Sequence, residues 1–433
     1  MRLWLPSSGA DGCTAAFSLY IKETTMSDLE LHQQLERKIP VAPLELIVLP
    51  SAERLGEKVN QYLVAFRNDH DHMVKYDPAF RDYVRDDYRL KTQCVRFGTG
   101  EGKGVVIDSA RGKDIYILTD VMNYSLTYEM NGFTNHMSPD DHYQDLKRVI
   151  AAINGKAARI TVIMPFLYEG RQHNRAGRES LDAANMLKEL VDLGIDKFIS
   201  FDVHDPRVQN VVPMINFENY IAAYQFLKAI MHKFPDIVLD KEHLVVISPD
   251  EGALDRAVFF ANVINADTGM FYKRRDYSRI VNGKNPLVAH EFLGTDLTGK
   301  DCIVMDDMIS SGGSILDTAR QLKARNANKV FLCTTFGLFT DGLEIFDEAY
   351  ARGDFDCIIT TNLTYQPDEL QDRPWFSVAD MSKYIATIID FFNHDASITE
   401  MTTPASKIHE ILEKFNRHEE SELEKIELEE TEF

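Results

Sequence analysis

Apolar residues along the chain fall into two alternating kinds of segment. Short unbroken runs at 115–118, 159–164, 197–203, 244–248, 302–305, 329–334 and 357–361 have the length and composition of strands buried on both faces. Residues 46–49 and 104–107 are shorter strand candidates. Between them lie longer segments at 52–66, 139–154, 181–193, 220–232, 253–265, 315–322, 343–351 and 382–392. There apolar positions recur at helical spacing, as Leu146, Val149, Ile150 and Ile153 do. Strands alternating with helices predict an α/β protein with mainly parallel sheets. The strands are too numerous for one comfortable sheet, so two doubly wound domains are expected, with a boundary near 212–217. The expected organisation is an extension over 1–40, a first domain over 41–215 and a second over 216–381. A helical segment follows over 382–418, then a tail over 419–433.

Three stretches fall outside this alternation. Residues 68–89 are rich in Asp, Arg, His and Tyr and read as a solvated insertion rather than core. The tail holds eight glutamates against one lysine, the composition of a solvated helix end or a disordered segment. The first 25 residues have one early Arg2 and a short apolar run after Asp11, weak features for a signal peptide. Met26 is a candidate internal start, and the leader reads as dispensable.

Charge and cysteine usage narrow the function. A formal charge of −21 on 433 residues argues against general nucleic-acid binding, which needs clustered Lys and Arg. Cys13, Cys94, Cys302, Cys333 and Cys357 form no CxxC pattern, and three of them sit inside apolar runs. That pattern fits buried thiols in a reducing cytoplasm. No apolar stretch approaches membrane-spanning length.

The densest chemistry follows the run at 302–305. Asp306 and Asp307 stand at the expected strand end, then a small polar loop, Ser310-Ser311-Gly312-Gly313-Ser314, then a helical segment. Strand, small-residue loop and helix N-terminus make an anion cradle, since unobstructed N–H groups converge there and the helix dipole favours negative charge. The alternative is a plain tight βα connection. Two adjacent carboxylates repel unless something binds them, so they could hold sugar hydroxyls or a metal. Further clusters sit at other strand ends, where open α/β sheets bind ligands. Arg171, Gln172, His173, Asn174, Arg175 and Arg178 form a basic loop, read either as solvated or as a phosphate site. His204 ends Phe201-Asp202-Val203-His204-Asp205 and reads as a structural residue, a metal ligand or a phosphate contact. Asp250 follows Ser248-Pro249 directly. Lys273-Arg274-Arg275 follows a likely strand, and 277–292 reads as a mobile loop able to close over phosphates.

In this order the clusters resemble those of ribose-phosphate diphosphokinases (PRPP synthetases) over about 46–415. The resemblance runs through Arg96 to Glu101, the Arg111-Gly112-Lys113-Asp114 turn, Arg171-Gln172, His204, Ser248-Pro249-Asp250, Lys273-Arg274-Arg275 and the 306–314 motif. It implies two domains of the type I phosphoribosyltransferase kind, with ATP and ribose 5-phosphate as substrates. It further implies Mg²⁺ and a cytoplasmic, dimer-based homo-oligomer extending up to a hexamer. Carried over, Phe97 and Glu101 bind the adenine, at a subunit interface. Arg171 and Gln172 hold the ATP phosphates and ribose, and His204 and Asp250 position Mg²⁺. Lys273 and Arg275 stabilise the transferring group. Asp306 and Asp307 bind the ribose hydroxyls, with Ser310, Ser311, Gly312, Gly313 and Ser314 around the 5-phosphate. The chain departs from the family pattern at Thr99 and Ser310, where Asp is usual, and at His173 and Asn174. Two other readings are a non-catalytic regulatory subunit and a phosphoribosyltransferase that consumes PRPP. The transition-state cations speak against the first, the two-domain length against the second.

Overall fold

The computed structural model describes residues 35, 38–68, 78–80, 82–175, 177–275, 287–398 and 405–416. The leader, the tail and residues 277–286 of the expected mobile loop lie outside these residues. The first half comprises β1 (Leu44–Val48), α1 (Glu53–Asn68), β2 (Thr92–Arg96), β3 (Gly102–Val106), β4 (Asp114–Leu118), β5 (Thr127–Met130) and β6 (Phe133–His136). It continues with α2 (Pro139–Ile153), β7 (Arg159–Ile163), α3 (Asp182–Asp192), β8 (Lys197–Phe201) and β9 (Asn216–Tyr220). The second half begins with α4 (Ala223–Lys233), β10 (Leu244–Ser248), α5 (Leu254–Ile264), β11 (Asp267–Arg275) and β12 (Leu287–Leu293). Then come β13 (Asp301–Ile309), α6 (Gly313–Lys323), β14 (Val330–Gly337), α7 (Glu344–Ala351), β15 (Cys357–Thr361), α8 (Asp368–Gln371) and β16 (Phe376–Ala379). Helices α9 (Ser382–Asn393) and α10 (Ala405–Asn416) follow.

Two parallel sheets result, as the alternation predicts. The first has the order β1-β4-β7-β8-β9, and the second β12-β11-β10-β13-β14-β15-β16. Only β12 among these strands runs antiparallel to its neighbour. The central strands β4, β7, β10, β14 and β15 are largely apolar because successive side chains point to opposite faces and both faces are covered. In the first half, Ile47, Ile115 and Ile117 pack outward against Val149 and Ile150 of α2 and Leu187 of α3. Outward residues of the second sheet, Val304, Leu332 and Ile358, meet Ile315 and Leu322 of α6 and Phe346 of α7. The inward residues of both sheets join one cluster. Leu46, Leu118 and Ile199 share it with Ile303, Phe331 and Ile359, and with Leu63, Phe260, Ile389 and Leu412 from α1, α5, α9 and α10. The molecule is therefore layered as helices, sheet, helices, sheet, helices, with an apolar seam joining its halves.

Local signals account for the element ends. Ser138 caps α2 reciprocally with Asp141, Pro139 opens its first turn, and Asn154 closes it at φ 57°. Helix α9 is tied to α1 by Arg67, whose Nε and Nη2 donate to Asp390 Oδ1 at 2.9 and 2.7 Å. Tyr83 and Tyr88 lie against the same guanidinium, at 4.4 and 5.2 Å from ring centroid to Cζ.

Four expectations change. Residues 82–89 are not a solvated insertion: Tyr83 and Tyr88 are buried, Leu46 N of β1 donates to Tyr88 O, and Leu90 N donates back to Leu46 O. Their aromatic rings neutralise the cost of burying Arg67, which composition alone does not reveal. Residues 216–220 form β9 on the first sheet, so the helix expected from 220 starts at Ala223. The cations at 273–275 lie within β11 rather than after it, and the described end of the expected loop is β12. Finally, β13 does not end at Met305. It registers with β10 only as far as Val304 but continues beside β14 to Ile309, paired with Gly337. Strands β13 and β14 thus overrun their sheet as a two-stranded ribbon that reaches the first half. There Phe336 meets Phe166 edge-on, with ring centroids 5.0 Å apart.

Candidate active site between the two sheets

The ribbon carries Asp306 and Asp307 into the space between the halves. Their neighbours across it come from the C-terminal ends of β7 and β8. His204 Nδ1 lies 2.6 Å from Asp307 Oδ2. Arg171, after β7, directs its guanidinium at the Met308 thioether on the ribbon. Asp202, at φ 39°, is buried and accepts from Thr335 Oγ1 of β14 at 2.7 Å. Arg256, on the first turn of α5, donates through Nε to Asp202 Oδ1 at 3.2 Å. Its Nη1 sits 3.5 Å from Asp306 Oδ1.

These contacts divide the two aspartates. Burial alone raises the Asp307 carboxyl, but the His204 hydrogen bond and the Arg256 charge outweigh it and hold it below the usual range. Asp306 moves the other way: burial, then the Asp307 charge, then Arg256 in opposition and Asp250 in support, leave it raised. The Asp307 hydrogen bond in turn raises the His204 imidazole, against burial. His204 and Asp307 thus favour each other's charged forms, while the charged form of Asp306 beside them is crowded by burial and by other anions. A cation or a set of hydroxyl donors relieves such crowding. Among the described residues, no three His, Cys, Asp or Glu side chains converge as a metal cage. A hard divalent ion would therefore be held by one or two of these side chains together with water and phosphate oxygens, as Mg²⁺ commonly is.

The loop after β13 joins the strand to a helix N-terminus through two glycines. Gly312 lies at φ 85°, and a Cβ there would come within 2.2 Å of the Phe346 ring. Both the backbone and the packing demand glycine. Gly313 has open space where a Cβ would be, and α6 starts at it with no side chain capping its N–H groups. Ser310 accepts at its carbonyl from Thr340 N at 3.0 Å, and its Oγ lies 3.5 Å from Thr340 Oγ1. Asp250, after β10, is fixed by Gly252 N donating to its Oδ1 at 3.0 Å.

Other expected residues lie apart from this cluster. Gln172 braces its own loop, donating to Ser180 O at 2.9 Å and Asn174 O at 3.3 Å. His173 bridges Gly170 O and Asp205, with its ring 5.5 Å from that of His204. Phe97 and Glu101 occupy the tip of the β2–β3 hairpin, which packs on α2 through Arg96 and Asp145. Phe97 is 47 % exposed there, and Glu101 accepts from Thr99 Oγ1 at 2.9 Å. Strand β11 carries Lys273 and Arg275, whose side chains lie outside the described residues.

Arg256 and Thr335 were not anticipated, and Asp202 was noted without a role. A signal for Arg256 existed. It stands in register with Ala253, Ala257, Phe260 and Ile264, a cation on the apolar stripe of a short helix.

Comparison with known proteins fixes the family. Residues 44–194 match the N-terminal domain of ribose phosphate pyrophosphokinase, and residues 217–357 match the phosphoribosyl transferase domain. Ribose-phosphate pyrophosphokinase of Corynebacterium efficiens is 30% identical over 254 residues, which span 57% of this chain and 69% of that protein. The chain belongs to the ribose-phosphate pyrophosphokinase family. It is a divergent member: the Mycoplasma genitalium pyrophosphokinase is 26% identical over 314 residues, covering 71% of this chain and 86% of that one. A solved phosphoribosylpyrophosphate synthetase from Mycobacterium smegmatis shares the fold at a TM-score of 0.62 and 22% identity, covering 82% of this chain and 99% of the other. Among the described residues of this pyrophosphokinase-family chain, no helix is long and apolar enough to cross a membrane.

Proposed function

We propose that the chain transfers the diphosphoryl group of ATP to ribose 5-phosphate. The 1-hydroxyl oxygen bonds to the β-phosphorus, the bond from that phosphorus to the α-phosphate oxygen breaks, and the products are PRPP, AMP and a proton. One observation carries this reading. Asp307 and Met308 of the ribbon meet His204 and Arg171 of the other half, and the same strand runs on through Ser310 and Ser311 into an uncapped, glycine-opened helix. We read these as a site for a phosphorylated sugar beside a site for nucleotide phosphates.

In this reading Asp306 and Asp307 take the ribose hydroxyls, and the 5-phosphate rests on Ser310, Ser311, Gly312, Gly313 and Ser314. Arg171 holds the ATP phosphates, with Gln172 stiffening the loop that carries it. His204 and Asp250 position Mg²⁺, which when bound neutralises the phosphate charge. Lys273 and Arg275 stabilise the diphosphoryl group in flight, where positioning and electrostatics supply most of the catalysis. Phe97 and Glu101 bind the adenine of a neighbouring copy in a dimer-based homo-oligomer, consistent with an aromatic ring left exposed on a hairpin tip. The expected compartment is the cytoplasm.

Purified protein incubated with ATP, Mg²⁺ and ribose 5-phosphate tests this directly. AMP and PRPP should appear in equal amounts, and AMP only when ribose 5-phosphate is present. Binding of both substrates with no AMP formed would instead make the chain a regulatory subunit.

A further inference from the structure

The residues assigned to ribose 5-phosphate all lie on the second half, from Asp306 to Ser314. Their surroundings do not. Arg256 is nearly buried and divides its guanidinium between Asp202 at 3.2 Å and Asp306 at 3.5 Å. Asp202 belongs to the first half, at the end of β8, and its second oxygen is taken by Thr335 Oγ1. Asp306 also accepts from the Asp307 backbone N–H at 2.9 Å through the same oxygen that faces Arg256. The carboxylate is therefore pinned through that oxygen, which fixes the direction in which the group faces. An arginine fork fixes direction as well as charge, because its donors are coplanar. Without Asp202, Arg256 would lose its shorter partner and could swing wholly onto Asp306, covering the carboxylate it now holds by one edge. The first half also keeps Asp202 in a left-handed backbone conformation at φ 39°, a strained choice for a residue with no role.

We propose that Arg256, held in place by Asp202, is the positioning residue that orients Asp306 for ribose 5-phosphate, so that this site is completed by the first half. The inference rests on the functional reading above, and goes beyond it by making ribose 5-phosphate affinity depend on a residue of the opposite half. It also gives the seam between the sheets a chemical purpose: a half that shifts relative to the other releases Arg256.

The test compares wild type with Asp202→Asn, Arg256→Lys, Arg256→Gln and the Asp202→Asn/Arg256→Gln double variant. Ribose 5-phosphate binding in the presence of Mg²⁺ is measured by calorimetry, and KM for each substrate by AMP release. Asparagine accepts the left-handed conformation, and thermal melting checks that each variant is folded. Arg256→Gln should weaken ribose 5-phosphate about 10-fold or more, Arg256→Lys less, and Asp202→Asn about 3- to 10-fold, a spread typical of losing one charge-assisted contact. The KM for ATP should stay within about twofold, and the double variant should match Arg256→Gln alone, since the two residues act as one unit. Unchanged ribose 5-phosphate affinity in folded Asp202→Asn and Arg256→Gln overturns the proposal while leaving the functional reading intact. Additive losses in the double variant overturn it too. If wild type itself fails to bind ribose 5-phosphate, the functional reading falls and takes the inference with it.

Discussion

The carboxylate centre on β13 and the hairpin tip at 97–101 were both expected to hold substrate, yet they are built in opposite ways. Around Asp306 and Asp307 every side chain is braced by another, and the braces cross from one half to the other: His204 to Asp307, Arg256 to Asp202, Thr335 to Asp202. At the hairpin tip the described contacts are local, Thr99 to Glu101 and Asn131 N to Gly98 O, and the aromatic ring stands in solvent. A braced site binds by being already shaped; an exposed ring acquires its shape from whatever docks on it. The first kind couples binding to stability, and the second does not.

That contrast can be broken most readily at Asp307. Asp307→Ala removes an acceptor from the proposed ribose site and frees His204, and AMP formation should fall about 10²- to 10³-fold, the scale of losing one preorganised electrostatic contact. Its melting temperature should also change, because a half-buried ion pair has lost its buried member. Phe97→Ala should behave differently. A lost stacking partner costs about 1–3 kcal/mol per base, so the KM for ATP should rise about 10- to 100-fold. The melting temperature should hardly move, as expected of a substitution at an exposed position. If Phe97→Ala destabilises the protein, the tip is not the independent element described above.

The smallest effect concerns a third place, away from both sites, where the halves also touch. Buried Asp120, just after β4, accepts from Tyr365 N at 2.6 Å and from Met122 N at 2.8 Å. Burial pushes its carboxyl up to about 7, with those two hydrogen bonds opposing. The folded state thus keeps a proton that the unfolded state releases near pH 4, and stability declines as pH rises from about 4 to 7. Asp120→Asn has no proton to lose. Its melting temperature relative to wild type should therefore climb between pH 5 and pH 8. A constant difference would show that Asp120 is charged throughout and that this contact is not pH-sensitive.

Much of the fold was legible because buried parallel strands announce themselves as unbroken apolar runs. The runs at 115–118, 244–248 and 357–361 became β4, β10 and β15 within one residue at either end. Strand β9 was missed because Asn216, Glu218 and Asn219 give an edge strand the composition of a loop. Strand β13 looked shorter than it is because Asp306 and Asp307 resemble a terminus, while backbone pairing with β14 carries the chain straight through them. Of the candidate site residues, those at strand ends were visible as breaks in apolar runs, and Arg171, His204, Asp306 and Asp307 do meet. Arg256 was not visible in that way. Its importance comes from three acids contributed by two distant segments, and no local pattern records that meeting.

The middle layer has a consequence for how the protein is made. Each sheet leaves one face to be covered by helices shared between the halves, and α9 and α10, the last described elements of the chain, supply Ile389, Ile408 and Leu412 to that cover. During synthesis the first sheet can form its strands, close its outer face and receive α1 on its inner face, but the cover supplied by α9 and α10 is missing until residues beyond 380 have emerged. A nascent chain of this kind presents apolar surface for most of its translation, the condition under which newly made proteins aggregate or recruit chaperones. Maturation is thus timed by the emergence of α9 and α10 rather than by the completion of either sheet.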